Sequence, residues 1–144
     1  MRSVCMILLV EDDPNDVFIA TLAFEATGLD TELAVTQNGH DALDFLQRSG
    51  SYAQRPAGSP QLILLDLNMP RMNGFDLLKA VKQDELLAPI PVVIFTTSDA
   101  KRDRALCATL GADDYLVKPN DFQDLITLVT ALTTRWVQPS HLAM

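Results

Sequence analysis

Hydrophobic positions in this chain fall into two alternating textures. Short unbroken apolar runs, Met6 to Val10, Leu62 to Leu65 and Val92 to Phe95, are separated by longer stretches in which apolar residues recur every three or four positions. An apolar run without internal alternation is how a strand buried on both faces reads, and a three-to-four spacing marks an amphipathic helix. Glu32 to Thr36 and Asp114 to Val117 predict two further short strands. The helical spacings are Val17, Ala20, Thr21 and Phe24; Ala42, Leu43, Phe45 and Leu46; Phe75, Leu77, Leu78, Val81 and Leu86; the segment Lys101 to Leu110; and Phe122, Leu125, Ile126, Val129, Leu132 and Trp136. Five strand-helix pairs in strict alternation imply an α/β fold with a parallel sheet covered by helices on both faces, because parallel strands need crossover connections.

Local signals set the boundaries. Asp13 before Pro14 predicts an N-cap followed by proline at the first helical position, and Asn38 is placed to cap the second helix. Gly28 ends the first helix, Gly111 closes the fourth, and Ser98 or Asp99 is positioned to cap the latter. The last helix begins near Asn120 or Asp121. Between Ser49 and Pro60 the chain turns to Ser, Gly, Pro, Gln and Arg, which predicts a loop without a packed element, either a recognition loop or a tolerated insertion. Leu128 and Ala131 lie off the apolar stripe of the last helix, a face with room for a partner, and residues 137 to 144 carry no periodicity.

Composition narrows the class. With 144 residues and 48% hydrophobic content the chain suits one domain, with a core over about 4–136. A formal charge of -8 and the lack of a basic tract argue against nucleic-acid binding. Val4 to Val10 is too short to span a bilayer and ends in three acids rather than a cleavage site, so a cytoplasmic protein is expected. Cys5 and Cys107 have neither metal-ligand spacing nor a disulfide framework and read as buried free thiols. His40, with no ligand cluster around it, reads as a solvated residue.

The chemistry sits where strands stop. In open α/β sheets ligands bind at the carboxyl ends of the strands. Glu11 and Asp12 follow the first strand, Asp66 the third, Thr96 ends the fourth and Lys118-Pro119 follows the fifth. Three carboxylates brought to one rim repel one another unless a hard divalent ion takes them as oxygen ligands, and Mg²⁺ does so while keeping water for an incoming phosphate. A lysine and a threonine at the same rim supply a point charge and a hydrogen-bond donor for a phosphoryl group. Asp66 is then the natural nucleophile for an acyl phosphate. Each residue also has a plainer role, in that acids favour helix starts and a strand Tyr such as Tyr115 is ordinarily a half-buried aromatic.

Asp66-Leu67-Asn68-Met69-Pro70 with Gly74, the Glu11-Asp12 pair, Thr96, Tyr115 and Lys118-Pro119 together make the sequence resemble a response-regulator receiver domain of two-component signalling, from about Met6 to Trp136. The resemblance implies a flavodoxin-like sheet in the order 2-1-3-4-5 and phosphorylation of Asp66 by a sensor histidine kinase. It implies Mg²⁺, or Mn²⁺ in its place, held by Glu11, Asp12, Asp66 and the backbone carbonyl of Asn68. Thr96 and Lys118 would contact the phosphoryl oxygens, Tyr115 would swing inward as a switch with Thr96, and Lys118-Pro119 is expected to be cis. Asn68 and Ser98 occupy positions that tune the lifetime of the phosphorylated state. Asn120 departs from the bulky apolar residue often found after that proline. The loop at 49–60 and the extension at 137–144 are similar to those of small regulators paired with bacterial phytochromes. A stand-alone regulator is expected, with no output domain after Trp136, signalling through the fourth helix, fifth strand and fifth helix, the face that also favours a homodimer.

Two rival classes share the fold. A Mg²⁺-dependent phosphatase with an aspartyl nucleophile wants a second carboxylate as general acid, and the residue two beyond Asp66 is Asn68. A flavodoxin-like carrier wants a Gly-rich or hydroxyl-rich phosphate loop, and the first turn here is Glu11-Asp12-Asp13-Pro14.

Overall fold

The computed structural model describes residues 5–56, 58–69 and 73–137, with the side chain of Cys5 outside the description. The strands are β1 (Cys5–Val10), β2 (Thr31–Thr36), β3 (Leu62–Leu65), β4 (Val92–Thr96) and β5 (Asp114–Val117). They alternate with α1 (Pro14–Ala26), α2 (Gly39–Gln47), α3 (Gly74–Gln83), α4 (Lys101–Thr109) and α5 (Phe122–Trp136), and a 3₁₀ turn lies at Gly50–Tyr52. All four strand pairings are parallel, in the order β2-β1-β3-β4-β5. The alternation of elements implied this doubly wound parallel sheet, and the family resemblance implied its flavodoxin-like order.

Burial on both faces explains the unbroken apolar runs. Leu8, Val10, Ile63, Leu65, Val92 and Ile94 pack with Ala42, Phe45, Leu77, Leu78, Val81 and Cys107 on one side. Their alternating neighbours Ile7, Leu9, Leu62, Leu64, Val93 and Phe95 pack with Ala20, Ala23, Phe24, Leu125, Val129 and Leu132 on the other. The first side is covered by α2, α3 and α4, the second by α1 and α5. Since side chains alternate along a strand, β1, β3 and β4 each feed both layers and have no position left for a polar residue until they end.

Helix starts follow their caps. Asp13 accepts from Asn15 N at 2.8 Å, Asn38 from Asp41 N at 2.9 Å, and Asp121 from Asp124 N at 3.2 Å, which settles Asp121 over Asn120. Asn73 caps α3 by accepting from Asp76 N at 3.0 Å. For α4 neither Ser98 nor Asp99 is the cap. Ala100 holds that position without a side-chain bond, because Ser98 Oγ is engaged with Asp103 Oδ2 at 2.6 Å and Asp99 with Arg104.

Three further expectations are corrected. The helical spacing to Leu86 overshoots: α3 ends at Gln83, since Asp84 Oδ1 accepts from Leu86 N at 2.8 Å and offers the backbone an alternative to the helix. Leu86 is left 86% exposed in the turn that follows. The loop after α2 is packed rather than loose. Tyr52 meets the Phe45 ring edge-on at 5.3 Å, the Arg55 guanidinium lies 4.2 Å over that ring, and Arg55 also donates to the carbonyls of Phe45 and Gly58. On α5, Leu128 packs against the α1-side core and so is not part of a free face, whereas Phe122, assigned to the core stripe, is 40% exposed. The stretch at 138–144, Ala57 and Pro70 to Met72 lie outside the described residues.

At the amino ends of the strands, Lys82 Nζ donates to the carbonyls of Ala88 and Ile90 and to Asp113 Oδ2, the last at 3.0 Å, and Asp113 in turn accepts from Val92 N at 2.8 Å. One ammonium thus ties the end of α3 to the starts of β4 and β5. Cys107 is buried and free. Among the described residues no helix is long and apolar enough to cross a membrane.

Gly74 at the start of α3 is required by a close approach. A Cβ there would lie 2.5 Å from the Asp66 carbonyl oxygen and 2.7 Å from Leu67 Cα, both backbone. Gly74→Ala gains about 1 kcal/mol in helix propensity, but overpacking costs about 1–3 kcal/mol, and backbone cannot yield by changing rotamer. Urea unfolding of Gly74→Ala should show a lower midpoint at unchanged slope, for a net loss of up to about 2 kcal/mol.

Candidate functional site

The rim is built by backbone bonds that continue the ladders one residue past the strands. Glu11 N donates to Thr36 O at 2.9 Å, Asp66 N to Val10 O at 3.2 Å and Lys118 N to Thr96 O at 2.8 Å. These bonds hold the first residues after β1, β3 and β5 at one end of the sheet. Glu11, Asp66 and Lys118 share the parity of Leu9, Leu64 and Leu116, which pack on the α1 and α5 side. Their side chains therefore converge.

Lys118 Nζ donates to Glu11 Oε1 at 2.5 Å and to Asp16 Oδ2 at 3.2 Å, stands 3.7 Å from Asp66 Oδ2 and lies 5.6 Å over the Phe95 ring. Glu11 Oε2 accepts from Asp13 N at 3.2 Å, and Asp66 Oδ1 from Asn68 N at 3.4 Å. Glu11 and Asp66 are both buried, at 2% and 6% exposure. One oxygen from each of Glu11, Asp12 and Asp66 lies within 4.8 Å of the others. That donor set is all carboxylate oxygen, which suits a hard divalent ion of the Mg²⁺ or Mn²⁺ kind and not zinc.

Three carboxylates, Glu11, Asp16 and Asp66, face one ammonium here, and a fourth, Asp12, lies beside two of them. Burial pushes the Glu11 carboxyl up to about 7, with the Asp66 charge adding to the rise and the Lys118 hydrogen bond opposing it. For Lys118, burial acts against the ammonium. Its bond to Glu11 and the charges of Asp66, Glu11 and Asp16 outweigh that and raise its pKa. The pair thus shares a proton-rich contact beside a carboxylate cluster short of positive charge.

Thr96 is fully buried at the end of β4, where its Oγ1 accepts from Ser98 N at 3.4 Å. It has the parity of Ile94, on the opposite face from Lys118, together with Tyr115, whose strand partner is Ile94. Tyr115 is already turned inward. Its hydroxyl donates to Ser98 O at 2.8 Å, its ring packs against the α3-α4 core, and the Arg104 guanidinium sits 4.7 Å over it. The Lys118-Pro119 peptide is trans, not cis. Trans is the lower-energy isomer of a prolyl bond, by about 0.5–1 kcal/mol. Asn68 is exposed next to Asp66, and no second carboxylate occupies its position.

Two contributors escape a reading of strand ends. Asp16 looks like an ordinary first-turn acid, yet it reaches Lys118 across a gap of 102 residues. Arg104, on a polar helix, gives no sequence sign that it covers Tyr115. Between α1 and α5, beside Lys118, a cleft of about 350 Å³ is lined by Glu11, Asp16, Ile19, Phe95 and Phe122 among others.

Residues 7–130 match the response regulator receiver domain model, and the chain belongs to that family. The chain is 36% identical over 133 residues to response regulator Rcp1 of Synechocystis, a match covering 92% of this chain and 89% of Rcp1. In structure it is similar to the phosphorylated cyanobacterial phytochrome response regulator RcpA, with a TM-score of 0.86, 31% identity and coverage of 94% of this chain and 96% of RcpA. It is also similar to the Mn²⁺-bound form of Rcp1, with a TM-score of 0.82, 36% identity and coverage of 93% and 95%. Receiver domains are signalling phosphoacceptors that bind divalent metal and are phosphorylated by histidine kinases, so the phosphatase and flavin-carrier readings are not favoured.

The Glu11 shift sets a pH dependence. Because the folded carboxyl binds its proton more tightly than an ordinary Glu at 4.5, the metal-free fold loses stability as pH rises from about 4.5 to about 7. Ligation through Glu11 must displace that proton. Calorimetric Mn²⁺ titrations should therefore show affinity rising with pH, up to about tenfold per unit below 7, and levelling off above it. Glu11→Gln should flatten the profile.

Proposed function

We propose that this chain is a response regulator that accepts a phosphoryl group on Asp66 from a sensor histidine kinase in a Mg²⁺-dependent reaction, and that it signals through a change of surface. The observation that carries the reading is the Asp66 carboxylate, buried at the end of β3, with Lys118 Nζ 3.7 Å away and the Glu11 and Asp12 oxygens beside it.

In this reading an Asp66 oxygen attacks phosphorus as the phosphohistidine P–N bond breaks, leaving an acyl phosphate on Asp66 and a free imidazole on the donor. Glu11, Asp12, Asp66 and the Asn68 carbonyl hold the ion. When bound, Mg²⁺ neutralises charge on the transferring phosphoryl oxygens. Lys118 supplies a second positive charge, and Thr96 donates its hydroxyl to the phosphoryl group, linking it to Tyr115 on the same face of β4 and β5. The protein is in this sense a phosphoacceptor that assists its own phosphorylation and dephosphorylation. The donor fits the cleft beside Lys118, where exposed Ile19 of α1 and Phe122 of α5 offer apolar surface.

A bacterial phytochrome as the kinase is supported by the relatives, Rcp1 and RcpA, the latter named as a phytochrome response regulator. A cytoplasmic location, no contact with nucleic acid and a homodimer through α4, β5 and α5 complete the proposal. Leu106, 42% exposed on α4, supports the dimer face in place of Leu128, which is half-buried against the α1-side core.

Incubation with acetyl phosphate and Mg²⁺ should add one phosphate to wild type, seen as a mass increment, and none to Asp66→Asn. Equal labelling of the two would refute the assignment. By sedimentation velocity the phosphorylated protein should run as a dimer and Leu106→Glu as a monomer; a monomeric wild type in both states would remove the dimer from the proposal.

A further inference from the structure

We infer that Asp16 is a positioning residue for Lys118, the carboxylate that keeps its ammonium within reach of Asp66 when Glu11 and Asp66 are engaged elsewhere. The inference rests on the phosphoacceptor reading above.

Lys118 Nζ has three acidic neighbours, Glu11 at 2.5 Å, Asp16 at 3.2 Å and Asp66 at 3.7 Å. Two of them, Glu11 and Asp66, belong to the oxygen cluster able to hold a divalent ion, and Asp16 does not. Charge that Glu11 gives to a cation is withdrawn from the lysine. Asp66 also weakens as a partner once phosphorylated, because the oxygen that bonds to phosphorus, as the donor's bond to phosphorus breaks, no longer carries the carboxylate charge. Two of the three contacts thus loosen in the reaction that needs Lys118 in place. Asp16 is the acidic neighbour that the reaction leaves free.

Its placement suits that task. Asp13 caps α1 and Pro14 occupies the first turn, so the backbone that carries Asp16 is set by a firm helix start. The Lys118 side chain is long and flexible, and it stands beside an open cleft into which the ammonium could turn. A carboxylate on the α1 wall, 39% exposed and reaching inward to a lysine that is 12% exposed, holds it at the Asp66 side of that cleft.

Asp16→Asn, Asp16→Glu, Lys118→Ala and the Asp16→Asn/Lys118→Ala double variant separate this role from a structural one. At saturating Mg²⁺, Asp16→Asn should accept phosphate from acetyl phosphate about fivefold to tenfold more slowly than wild type, the loss expected for one part-exposed charge-assisted contact. Mn²⁺ affinity should stay within about twofold, as Asp16 lies outside the ion cluster. Asp16→Glu should restore most of the rate, and in the Lys118→Ala background Asp16→Asn should have no further effect.

A second readout does not depend on phosphorylation. With Mg²⁺ saturating, Lys118 in Asp16→Asn should react with an amine-acylating reagent about threefold faster or more, read by peptide mass spectrometry, because losing the Asp16 contact frees the side chain and makes the reactive neutral amine easier to form. An unchanged acylation rate, or a phosphorylation defect that persists in full without Lys118, would overturn the role of Asp16. A wild type that takes no phosphate on Asp66 would instead sink the parent reading, and the acylation arm would still decide whether Asp16 restrains Lys118.

Discussion

Glu11 and Asp66 are buried side by side because the Lys118 ammonium stands between them. Desolvating one carboxylate is costly and desolvating two as neighbours is more so, and only a charge of opposite sign at bonding distance makes the arrangement tolerable. The compensation is incomplete. Asp12 and Asp16 add negative charge at the same rim, and one ammonium leaves the cluster short of positive charge. Burial, with the Asp66 charge adding to it, holds the Glu11 proton, and the shortfall favours a divalent cation, with which a phosphoryl group can be accommodated.

The two ends of the sheet use a lysine in opposite ways. At the amino ends, Lys82 is satisfied by two carbonyls and one carboxylate, and Asp113 is satisfied in turn by Lys82 and the Val92 backbone. Each group has its partners and the result is a fixed joint between α3, β4 and β5. At the carboxyl ends Lys118 is outnumbered by acids. Between them lies a sheet covered on both faces, close-packed enough to transmit a displacement of a strand end rather than absorb it.

A route for such a displacement is visible on the α3-α4 side. Thr96 and Tyr115 share a face, and the Tyr115 hydroxyl reaches the Ser98 carbonyl two residues beyond Thr96. Ser98 is bonded to Asp103, Asp99 to Arg104, and Arg104 covers the Tyr115 ring. The loop between β4 and α4 and the aromatic ring of β5 are thereby one connected unit. A movement of the Ser98 carbonyl alters the Tyr115 contact directly.

The sequence by itself determined the elements and the rim. Unbroken apolar runs read as strands covered on both sides, their alternation with helices required parallel pairing, and Glu11, Asp12, Asp66, Thr96 and Lys118 stand where the strands end. These are local properties, carried by periodicity and by where it ends. The caps at Asp13 and Asn38 were legible for the same reason and the last one was narrowed to Asn120 or Asp121, but Ala100 in place of Ser98 or Asp99 was not legible, since Ser98 is drawn away by Asp103. What only the tertiary structure decided is set by partners distant along the chain: Asp16 on Lys118, Arg104 on Tyr115, Arg55 and Tyr52 on Phe45, and the exposure of Phe122 against the packing of Leu128 on the core. No local pattern encodes such contacts, because they depend on how helices sit on the sheet and on which charges meet once water has been excluded.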